Sequence, residues 1–370
     1  MPINEARIKE RFLHLTALNS PSKREGPVAS WLKEQFSQLG LAAQEDESGK
    51  RTGSESGNIV VRIPGRGPAL LFGAHMDVVS DMALAQVRLE DGSFKTDGKT
   101  ILGADDKAGL VAILEAVTAL TEEKLSHRPL ELVFTTCEEI GLCGSNALRR
   151  DDLKAQCGFI FDSGNQPSEI IINAPSQDEH YYKVIGKAAH AGSAPEEGID
   201  AIRLAAWAIS QMPLGRLSAS TTANIGKIAG GSATNIVADL TEVWGEARSF
   251  LEEELSEQSQ RMRECFRQAA AKFGGQVEAK LKRSFTGFKL SHRELVVQLA
   301  QQAVHKIGLR PQLVSSGGGS DANVLNQLGL PTVNLGVGVQ KPHTKEETLA
   351  LADLTAASRL ALALATGEEK

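Results

Sequence analysis

Apolar positions recur every three or four residues through the first part of the chain. Ile8, Phe12 and Leu15 show this spacing, and the segment 28–36 repeats it. Because an α-helix has about 3.6 residues per turn, this spacing places the apolar side chains on one face. Gly40 is a suitable end point, since glycine readily adopts the left-handed conformation that ends helices. The pattern therefore predicts two amphipathic helices.

Short apolar runs of the kind found in strands come next. GNIVVRI at 57–63 and ALLFGAHMD at 69–77 are separated by a turn rich in proline and glycine. A hairpin-like stretch, LEDGSFKTDGKTI, precedes a helix expected at 107–120. LELVFTT at 130–136 and GFIFD at 158–162 resemble parallel strands that are buried on both faces. The alternation of strands and helices predicts a doubly wound α/β sheet.

The order of elements changes near residue 178. Strand, helix, strand, strand, helix and strand patterns follow one another, with the third strand at 234–247 and the second helix at 252–273. This βαββαβ order is ferredoxin-like. Alternating helices and strands return near residue 290 and continue towards the end of the chain. We therefore predict a doubly wound domain formed by 1–177 and 290–370, with a ferredoxin-like α+β domain inserted at 178–289.

Composition excludes several classes of protein. The chain has 40 Lys and Arg against 46 Asp and Glu, a net charge of −6, whereas a nucleic-acid surface needs clustered positive charge. Its apolar runs are far shorter than the roughly 20 residues of a membrane span. Four cysteines without a CxxC pair are too few for a disulfide framework in 370 residues. We expect a soluble cytoplasmic protein that binds neither nucleic acid nor membranes.

Histidines and acidic residues follow the predicted strands or precede a helix. Because open α/β sheets bind ligands at the carboxyl ends of their strands, we expect these side chains to meet at one edge. Ordinary loop polarity explains any one of them equally well, but five separate segments make that explanation weak. The residues are His75, Asp77, Asp105, Asp106, Glu138, Glu139, Asp162 and His343.

Two pairs among these residues indicate a metal centre. Alternate strand residues share a face, so Asp77 can accept the second N–H of a metal-bound His75, although this spacing is also common by chance. Two adjacent glutamates after a buried strand repel each other unless cations compensate them. We expect one of Glu138 and Glu139 to bind metal while the other acts as general base. The alternative interpretation of this pair is a solvated acidic loop.

The candidate ligands are imidazoles and carboxylates, without a thiolate. Such a set suits zinc, cobalt or manganese rather than an iron–sulfur cluster or structural zinc. One carboxylate can bridge two ions about 3.5–4 Å apart, an arrangement that is used for hydrolysis. The residues therefore favour a pair of divalent cations.

Seven motifs, in order along the chain, resemble those of the dinuclear zinc exopeptidases. They are GAHMDVV, ILGADDKAG, CEEIG, FDSG, AAHAG, GEARSF and PHT. This family includes peptidase T, glutamate-type carboxypeptidases, aminoacylases and succinyl-diaminopimelate desuccinylase, and GADDKAG is most similar to the peptidase T-like branch. The resemblance implies a two-zinc aminopeptidase that hydrolyses short peptides, tripeptides in particular, with Co²⁺ or Mn²⁺ as possible substitutes. It also implies a homodimer formed through the inserted domain, which would act as a lid.

The resemblance further implies a role for each matched residue of the larger domain. Asp105 would bridge the ions rather than Asp106, because the family pattern places the bridging aspartate two residues before a lysine, here Lys107. Asp77 would position the ring of His75, and Glu138 would be the general base. The terminal zinc ligands would be His75 and Asp162 for one ion, and Glu139 and His343 for the other.

Residues of the inserted domain are matched more weakly. The resemblance implies that His190 stabilises the oxyanion in the partner subunit's active site and that Arg248 binds the substrate carboxylate. Asn235 is similar to a lid asparagine near the same site. Without the family, His190 could simply end a strand and Arg248 could be a surface charge. In the glycine-rich segment 317–323, Ser320 and Asp321 are further candidate substrate contacts.

Other functions stay open at this point. A carboxypeptidase or an N-acyl-amino-acid amidohydrolase would use the same metals, and the lid segments match the family only in general shape. A non-catalytic, metal-stabilised dimer that binds peptides is an alternative of another class. Such a protein would not need Glu138 beside Glu139, so the pair weighs against it.

Overall fold

A computed structural model describes residues 2–83 and 85–367, which form two compact units. The first unit comprises residues up to 173 together with 289–316 and the residues from 320 onward. The second unit comprises 174–288 and 317–319. Within the described residues, no helix combines the length and the apolar character that a membrane crossing requires.

The first 174 residues begin with two helices, as the pattern predicts, and continue with strands and further helices. In chain order they are α1 (Glu5–Ala17), α2 (Gly26–Gln38), β1 (Ala43–Glu45), α3 (Ser48–Thr52), β2 (Ile59–Ile63), β3 (Leu70–His75), β4 (Arg88–Glu90), β5 (Ser93–Lys95), α4 (Ala104–Glu122), β6 (Leu130–Thr135), β7 (Cys157–Ser163) and β8 (Glu169–Ala174). The amphipathic helices at the start of the chain are confirmed, since Ile8, Phe12 and Leu15 are fully buried.

The remaining elements belong to the second unit and then again to the first. They are β9 (Ser176–Ile185), α5 (Ala201–Ser210), β10 (Gly215–Arg216), β11 (Thr221–Gly230), β12 (Leu240–Ser249), α6 (Glu252–Phe273), β13 (Gln276–Phe285), β14 (Phe288–Lys289), α7 (Leu295–Lys306), β15 (Gln312–Ser315), α8 (Asp321–Gln327), β16 (Thr332–Gly336), β17 (Val339–Gln340), β18 (Thr348–Ala350) and α9 (Leu351–Thr366).

The first unit contains a large mixed sheet with a parallel centre. Its strand order is β1-β2-β6-β3-β7-β16-β8, with β15 beside β8. The strands β6, β3, β7 and β16 run parallel, while β2 and β8 are antiparallel to their neighbours β6 and β16. The side chains of the four parallel strands are almost entirely buried. The doubly wound arrangement predicted from the continuous apolar runs is confirmed, and the carboxyl ends of these strands share one edge.

The helix α4 crosses the centre of the first unit. It packs against β3, β7, α1 and α9, and nearly all of its side chains are buried. Glu115 lies in its interior, where a lone carboxylate would be unfavourable. Arg7 Nε and Arg11 Nη1 lie 2.7 and 3.0 Å from Oε2 of Glu115 and compensate its charge. These contacts join α1 to the middle of α4.

A small antiparallel sheet supports the loop that carries His343. Its strand order is β17-β18-β5-β4, and the segment 341–347 connects the first two of these strands. Leu349 pairs with Phe94 in the centre of this sheet, and both side chains are fully buried. The hairpin predicted near residue 90 therefore anchors a loop from the other end of the chain.

The second unit has the ferredoxin-like order that the sequence predicts. Its antiparallel sheet runs β10-β11-β12-β9-β13, and α5 and α6 pack on it around Tyr182, Val243 and Phe266. One boundary differs from the expectation, because the strand predicted from residue 234 begins only at Leu240. Residues 235–238 instead exchange backbone hydrogen bonds with 189–191 and 201, so they do not extend the sheet.

A buried histidine lies in the core of the second unit. Nδ1 of His180 is 2.9 Å from the hydroxyl of Tyr182, and Nε2 is 3.2 Å from Oγ of Ser259. Ser259 donates its own hydrogen to Asp178, so Nε2 of His180 is the donor and Nδ1 the acceptor. Both ring nitrogens are therefore satisfied in the neutral form of the imidazole. Burial lowers the pKa of His180 to about 4.

We expect His180 to make the second unit sensitive to acid. Its pKa in the folded state is below the value of about 6.5 for a free histidine, so the unfolded chain binds the proton more readily. The free energy of unfolding has its full value above about pH 6.5. It falls as the pH decreases towards the folded pKa, and the loss is about 2 kcal/mol by pH 5. Urea unfolding, followed by the fluorescence of Trp207 and Trp244 in this unit, measures the effect.

The control for this prediction is the exposed His292. His180→Gln should weaken the dependence of the unfolding free energy on pH between pH 5 and pH 8, whereas His292→Gln should leave it unchanged. If His180→Gln kept the wild-type dependence, the buried imidazole would not be its source.

Candidate metal centre

His75 is the last residue of β3 and is 2% exposed. Its Nδ1 lies 3.0 Å from the backbone oxygen of Asp77 and 3.5 Å from Oδ1 of the same residue. Nε2 faces two further carboxylates, at 3.2 Å from Oδ1 of Asp105 and 3.6 Å from Oδ1 of Asp162. Burial opposes a charge on the ring, but the three carboxylates outweigh it and raise the pKa of His75 well above its usual value. The same surroundings would attract a divalent cation.

His343 approaches the same carboxylates from a different loop. Its Nε2 lies 3.2 Å from Oδ2 of Asp105 and 3.1 Å from Oε1 of Glu139. These two carboxylates raise the pKa of His343 to about 10. Its backbone has a φ of 64°, a left-handed conformation that is unusual for a residue with a side chain and that is often found at functional sites.

Asp105 stands between the two histidines. Its Oδ1 faces His75, and its Oδ2 faces His343, each at 3.2 Å from Nε2. Burial raises the pKa of Asp105, but the two imidazoles outweigh burial and hold the pKa below its usual range. An ionised carboxylate that presents one oxygen to each of two imidazoles has the geometry required to bridge two cations.

Asp106 differs from its neighbour in how its oxygens are used. One of them lies within 4.8 Å of ligand atoms of His75 and Asp162, so distance alone does not separate Asp106 from Asp105. However, Oδ2 accepts the backbone N–H of His75 at 3.2 Å, and Oδ1 accepts that of Gly109 at 2.9 Å. Asp106 therefore joins the end of β3 to the first turn of α4.

Asp77 orients both glutamates as well as His75. Its Oδ1 accepts the backbone N–H of Glu138 at 3.0 Å, and Oδ2 accepts that of Glu139 at 3.2 Å. Ser22 donates its hydroxyl to Oδ2 at 2.6 Å. Burial raises the pKa of Asp77, but His75, Ser22 and the backbone N–H of Glu138 outweigh burial and lower the pKa below its usual value. It remains an anion that fixes three groups of the site.

The two glutamates have different surroundings. Oε1 of Glu139 is buried near His343, yet within residues 2–83 and 85–367 it has no aligned hydrogen-bond donor. Burial raises the pKa of Glu138 well above its usual value, and the negative charges of Asp162, Asp321 and Glu139 add to this effect. Oε1 of Glu139 is thus a buried oxygen available to a cation, whereas Glu138 is a carboxylate of raised basicity.

These residues fit a pair of divalent cations. Burial raises the pKa of Asp162, at the end of β7, to about 7, which a nearby cation would reverse. The unsatisfied oxygen of Glu139 and the shared position of Asp105 both favour metal binding. The donor set contains nitrogen and oxygen only, as zinc, cobalt and manganese accept.

The three predicted residues of the inserted domain lie in the second unit. His190 is exposed, and its Nδ1 accepts the backbone N–H groups of Gly192 and Ser193 at 3.1 and 3.2 Å. Asn235 is exposed, and its backbone oxygen accepts the N–H of Ala191. Segments that carry His190 and Asn235 are therefore side by side.

Arg248 is already paired within the second unit. Its Nε and Nη2 each lie 3.0 Å from one oxygen of Glu246, and Nη1 donates to the backbone oxygen of Gly317 at 3.3 Å. The charge of Arg248 is therefore compensated by Glu246.

Ser320 and Asp321 have structural contacts. Ser320 caps the start of α8, and Asp321 accepts the hydroxyl of Thr135 at 2.5 Å. Both residues are buried, at 4% and 2% exposure. These contacts use the hydroxyl of Ser320 and Oδ2 of Asp321, whereas Oδ1 of Asp321 is buried without a hydrogen-bond partner among the described residues.

Sequence reasoning missed two residues that support the site. Ser22 lies in the turn between α1 and α2, and Glu347 lies in the charged run after His343. Glu347 is 1% exposed, whereas a charged run is usually solvated. Neither residue has a neighbour in sequence that would reveal its partner, so no local signal identifies them.

A mixed α/β unit that gathers histidines and carboxylates at the carboxyl ends of parallel strands is typical of metal-dependent hydrolases. The profile of peptidase family M20/M25/M40 matches residues 71–366. This chain therefore belongs to that peptidase family, and it is a hydrolase of peptide bonds.

Similar proteins agree with this assignment. The Bacillus subtilis protein YqjE is 42% identical over 364 residues, which is 98% of each protein. The aminopeptidase PepT from Bacillus cereus is 39% identical, with a TM-score of 0.86 and 98% of each chain covered. A tripeptidase from Staphylococcus aureus is also 39% identical, with a TM-score of 0.92 and the same coverage. The family and the peptidase T-like branch expected from the motifs are confirmed.

Proposed function

We propose that this peptidase is a two-zinc aminopeptidase that acts on short peptides, tripeptides in particular. The observation that carries the proposal is the position of Asp105, whose two oxygens each lie 3.2 Å from a different imidazole nitrogen. The names of the two similar structures, an aminopeptidase and a tripeptidase, support the choice of substrate.

Five side chains would hold the ions. Asp105 would be shared, and Co²⁺ or Mn²⁺ would suit the same ligands. When bound, the zinc pair lowers the pKa of water and polarises the scissile carbonyl. The terminal ligands would be His75 and Asp162 on one side, and His343 and Glu139 on the other.

Glu138 would transfer the proton. Its raised pKa suits a carboxylate that takes a proton from the attacking water and later passes it to the leaving amine. Asp77 would support this role, because it binds the backbone of Glu138 and faces the ring of His75. A single buried residue would then orient the base through its carboxylate and a ligand through its backbone oxygen.

His190 would donate a hydrogen bond to the oxyanion in the partner subunit's active site. Its Nδ1 accepts two backbone N–H groups, so the neutral ring carries its hydrogen on Nε2. A fixed donor of this kind stabilises the charge that develops on the carbonyl oxygen. The homodimer that this role requires, and the cytoplasmic location, stay predictions.

Arg248 and Asn235 would contact the substrate. A peptide carboxylate at Arg248 would compete with Glu246 for the guanidinium, or would use the face that Glu246 leaves open. Asn235 would bind beside His190, since their segments are joined through the N–H of Ala191. A carboxypeptidase or an amidohydrolase would use the same metals with different contacts at these positions.

A substrate series on the zinc-loaded protein tests the proposal. We expect tripeptides with a free α-amino group to have the highest kcat/KM, with release of the amino-terminal residue. Their N-acetylated forms should be at least about 100-fold poorer, because a site built for a charged amine rejects analogues that lack it. The measurement is product analysis on matched peptides of two to five residues.

Each alternative has its own outcome in this series. Release of the carboxy-terminal residue would indicate a carboxypeptidase, and cleavage of acetyl groups would indicate an amidohydrolase. A protein that binds two zinc ions and peptides without cleaving any of them would be the non-catalytic dimer.

A further inference from the structure

Four consecutive backbone N–H groups converge on the carboxylate of Glu347. Oε2 accepts those of residues 102 and 103 at 2.9 and 2.8 Å, and Oε1 accepts those of residues 104 and 105 at 2.9 and 3.1 Å. The four donors and the acceptor are more than 240 positions apart in the sequence. A turn at the start of α4 is thus bound by one side chain from the opposite end of the chain.

The backbone of this turn is shaped to bind an anion. Gly103 has a φ of 67°, and a Cβ there would lie 2.3 Å from Sδ of Met82, so any other residue would be strained and would displace Met82. A left-handed residue next to residues of other conformation turns successive N–H groups towards one point, which forms an anion-binding concavity. With both oxygens accepting two N–H groups each, Glu347 has the hydrogen-bond pattern of an ionised carboxylate.

Two candidate zinc ligands depend on this contact. The fourth N–H bound by Glu347 is that of Asp105, whose side chain would bridge the ions. His343 lies only four residues before Glu347, and the backbone N–H of Glu347 donates to Thr344 at 3.1 Å within this segment. The carboxylate therefore joins the loop of one ligand to the backbone of another.

We propose that Glu347 is a positioning residue of the metal centre, which fixes the backbone at Asp105 so that this aspartate presents one oxygen to His75 and the other to His343. This role rests on the proposed two-zinc function. Without these four hydrogen bonds, the four N–H groups of the turn 102–105 would need other acceptors. The backbone of the turn would shift to reach them, and the carboxylate of Asp105 would shift with it.

Glu347→Gln tests the role with a side chain of the same size. Its amide nitrogen cannot accept hydrogen bonds, so two of the four N–H groups would face a donor. We expect zinc affinity, measured by competition with a chelator, to fall by about 10–100-fold, as is typical when a residue that orients a metal ligand is replaced. The visible spectrum of the Co²⁺-loaded protein should change as well, since the bridging ligand is displaced.

The neighbouring Glu346 provides the matched control. It is exposed and paired with Lys341, so Glu346→Gln removes the same charge one residue away without touching the turn. We expect wild-type zinc affinity and an unchanged Co²⁺ spectrum. A merely structural role for Glu347 would lower the thermal stability of Glu347→Gln but leave the zinc affinity and the Co²⁺ spectrum of the folded protein unchanged, and that result would overturn the proposal.

A second measurement needs no variant. In wild-type protein without metal, the amide hydrogens of residues 102–105 should exchange slowly with deuterium, because all four are bound by a buried carboxylate. Exchange at the rate of an open loop would overturn the proposal even if Glu347→Gln failed to fold. Wild-type protein that binds zinc but cleaves no peptide would refute the proposed function, and the affinity comparison would still decide the role of Glu347.

Discussion

Glu138→Gln is expected to lose on the order of 10²–10⁴-fold in kcat while the protein still binds two zinc ions per chain. The substitution keeps the size of the side chain and removes its ability to accept a proton. Metal binding should survive, because the backbone of residue 138 would still donate to Asp77 and the proposed ligands would be intact. Steady-state kinetics on a tripeptide, together with metal analysis of the same sample, measure both results.

The adjacent glutamate is the matched control for this prediction. Glu139→Gln makes the same chemical change one position along, at the residue whose unsatisfied oxygen lies 3.1 Å from His343. We expect it to lose zinc affinity as well as activity. Near wild-type turnover in Glu138→Gln would reject the base assignment, and metal loss in Glu138→Gln with metal retained in Glu139→Gln would exchange the two roles.

His190→Ala is expected to lose on the order of 10²–10³-fold in kcat, the typical effect of removing one oxyanion donor. If His190 serves the other subunit, pairing His190→Ala with a second inactive variant should restore part of the activity. In a heterodimer of His190→Ala and Glu138→Ala, the first subunit keeps Glu138 and receives an intact His190 from its partner. One of the two sites is then complete.

The expected activity of each mixture depends on the number of complete sites. Purified heterodimers should have about half of the wild-type activity, and an equal mixture that exchanges subunits at random about a quarter. If His190 acted within its own subunit, each site of the heterodimer would carry one defect and no activity would return. Absence of rescue in heterodimers of verified composition would therefore exclude the shared site.

Much of the fold could be predicted because its signals are local. The helical spacing of Ile8, Phe12 and Leu15 and the unbroken apolar runs of β6 and β7 each reflect burial of a single element. The βαββαβ order of the inserted unit follows from the same patterns. Only the start of the strand predicted from residue 234 was wrong, because residues 235–237 pair with 189–191 instead. A pairing partner is not visible in the periodicity of one segment.

The site was predicted less completely. The residue types and their positions after strands pointed to His75, Asp105 and Glu139, and the structure brings these side chains together within 4.8 Å. The motif favoured Asp105 over Asp106 only through its distance from a lysine. The structure adds a physical reason, since both oxygens of Asp106 are occupied by backbone N–H groups.

By itself, the sequence determined the helices and strands, the ferredoxin-like insertion, the family, and the kinds of side chain that gather at one sheet edge. These follow from short-range periodicity and from motifs within a few residues of one another. Only the tertiary structure decided which oxygen of Asp105 faces which imidazole, that Asp77 holds two glutamates, and that Glu347 binds the turn 102–105. Such contacts join segments up to 245 positions apart, and their geometry depends on how strands and loops pack, which leaves no trace in either segment alone.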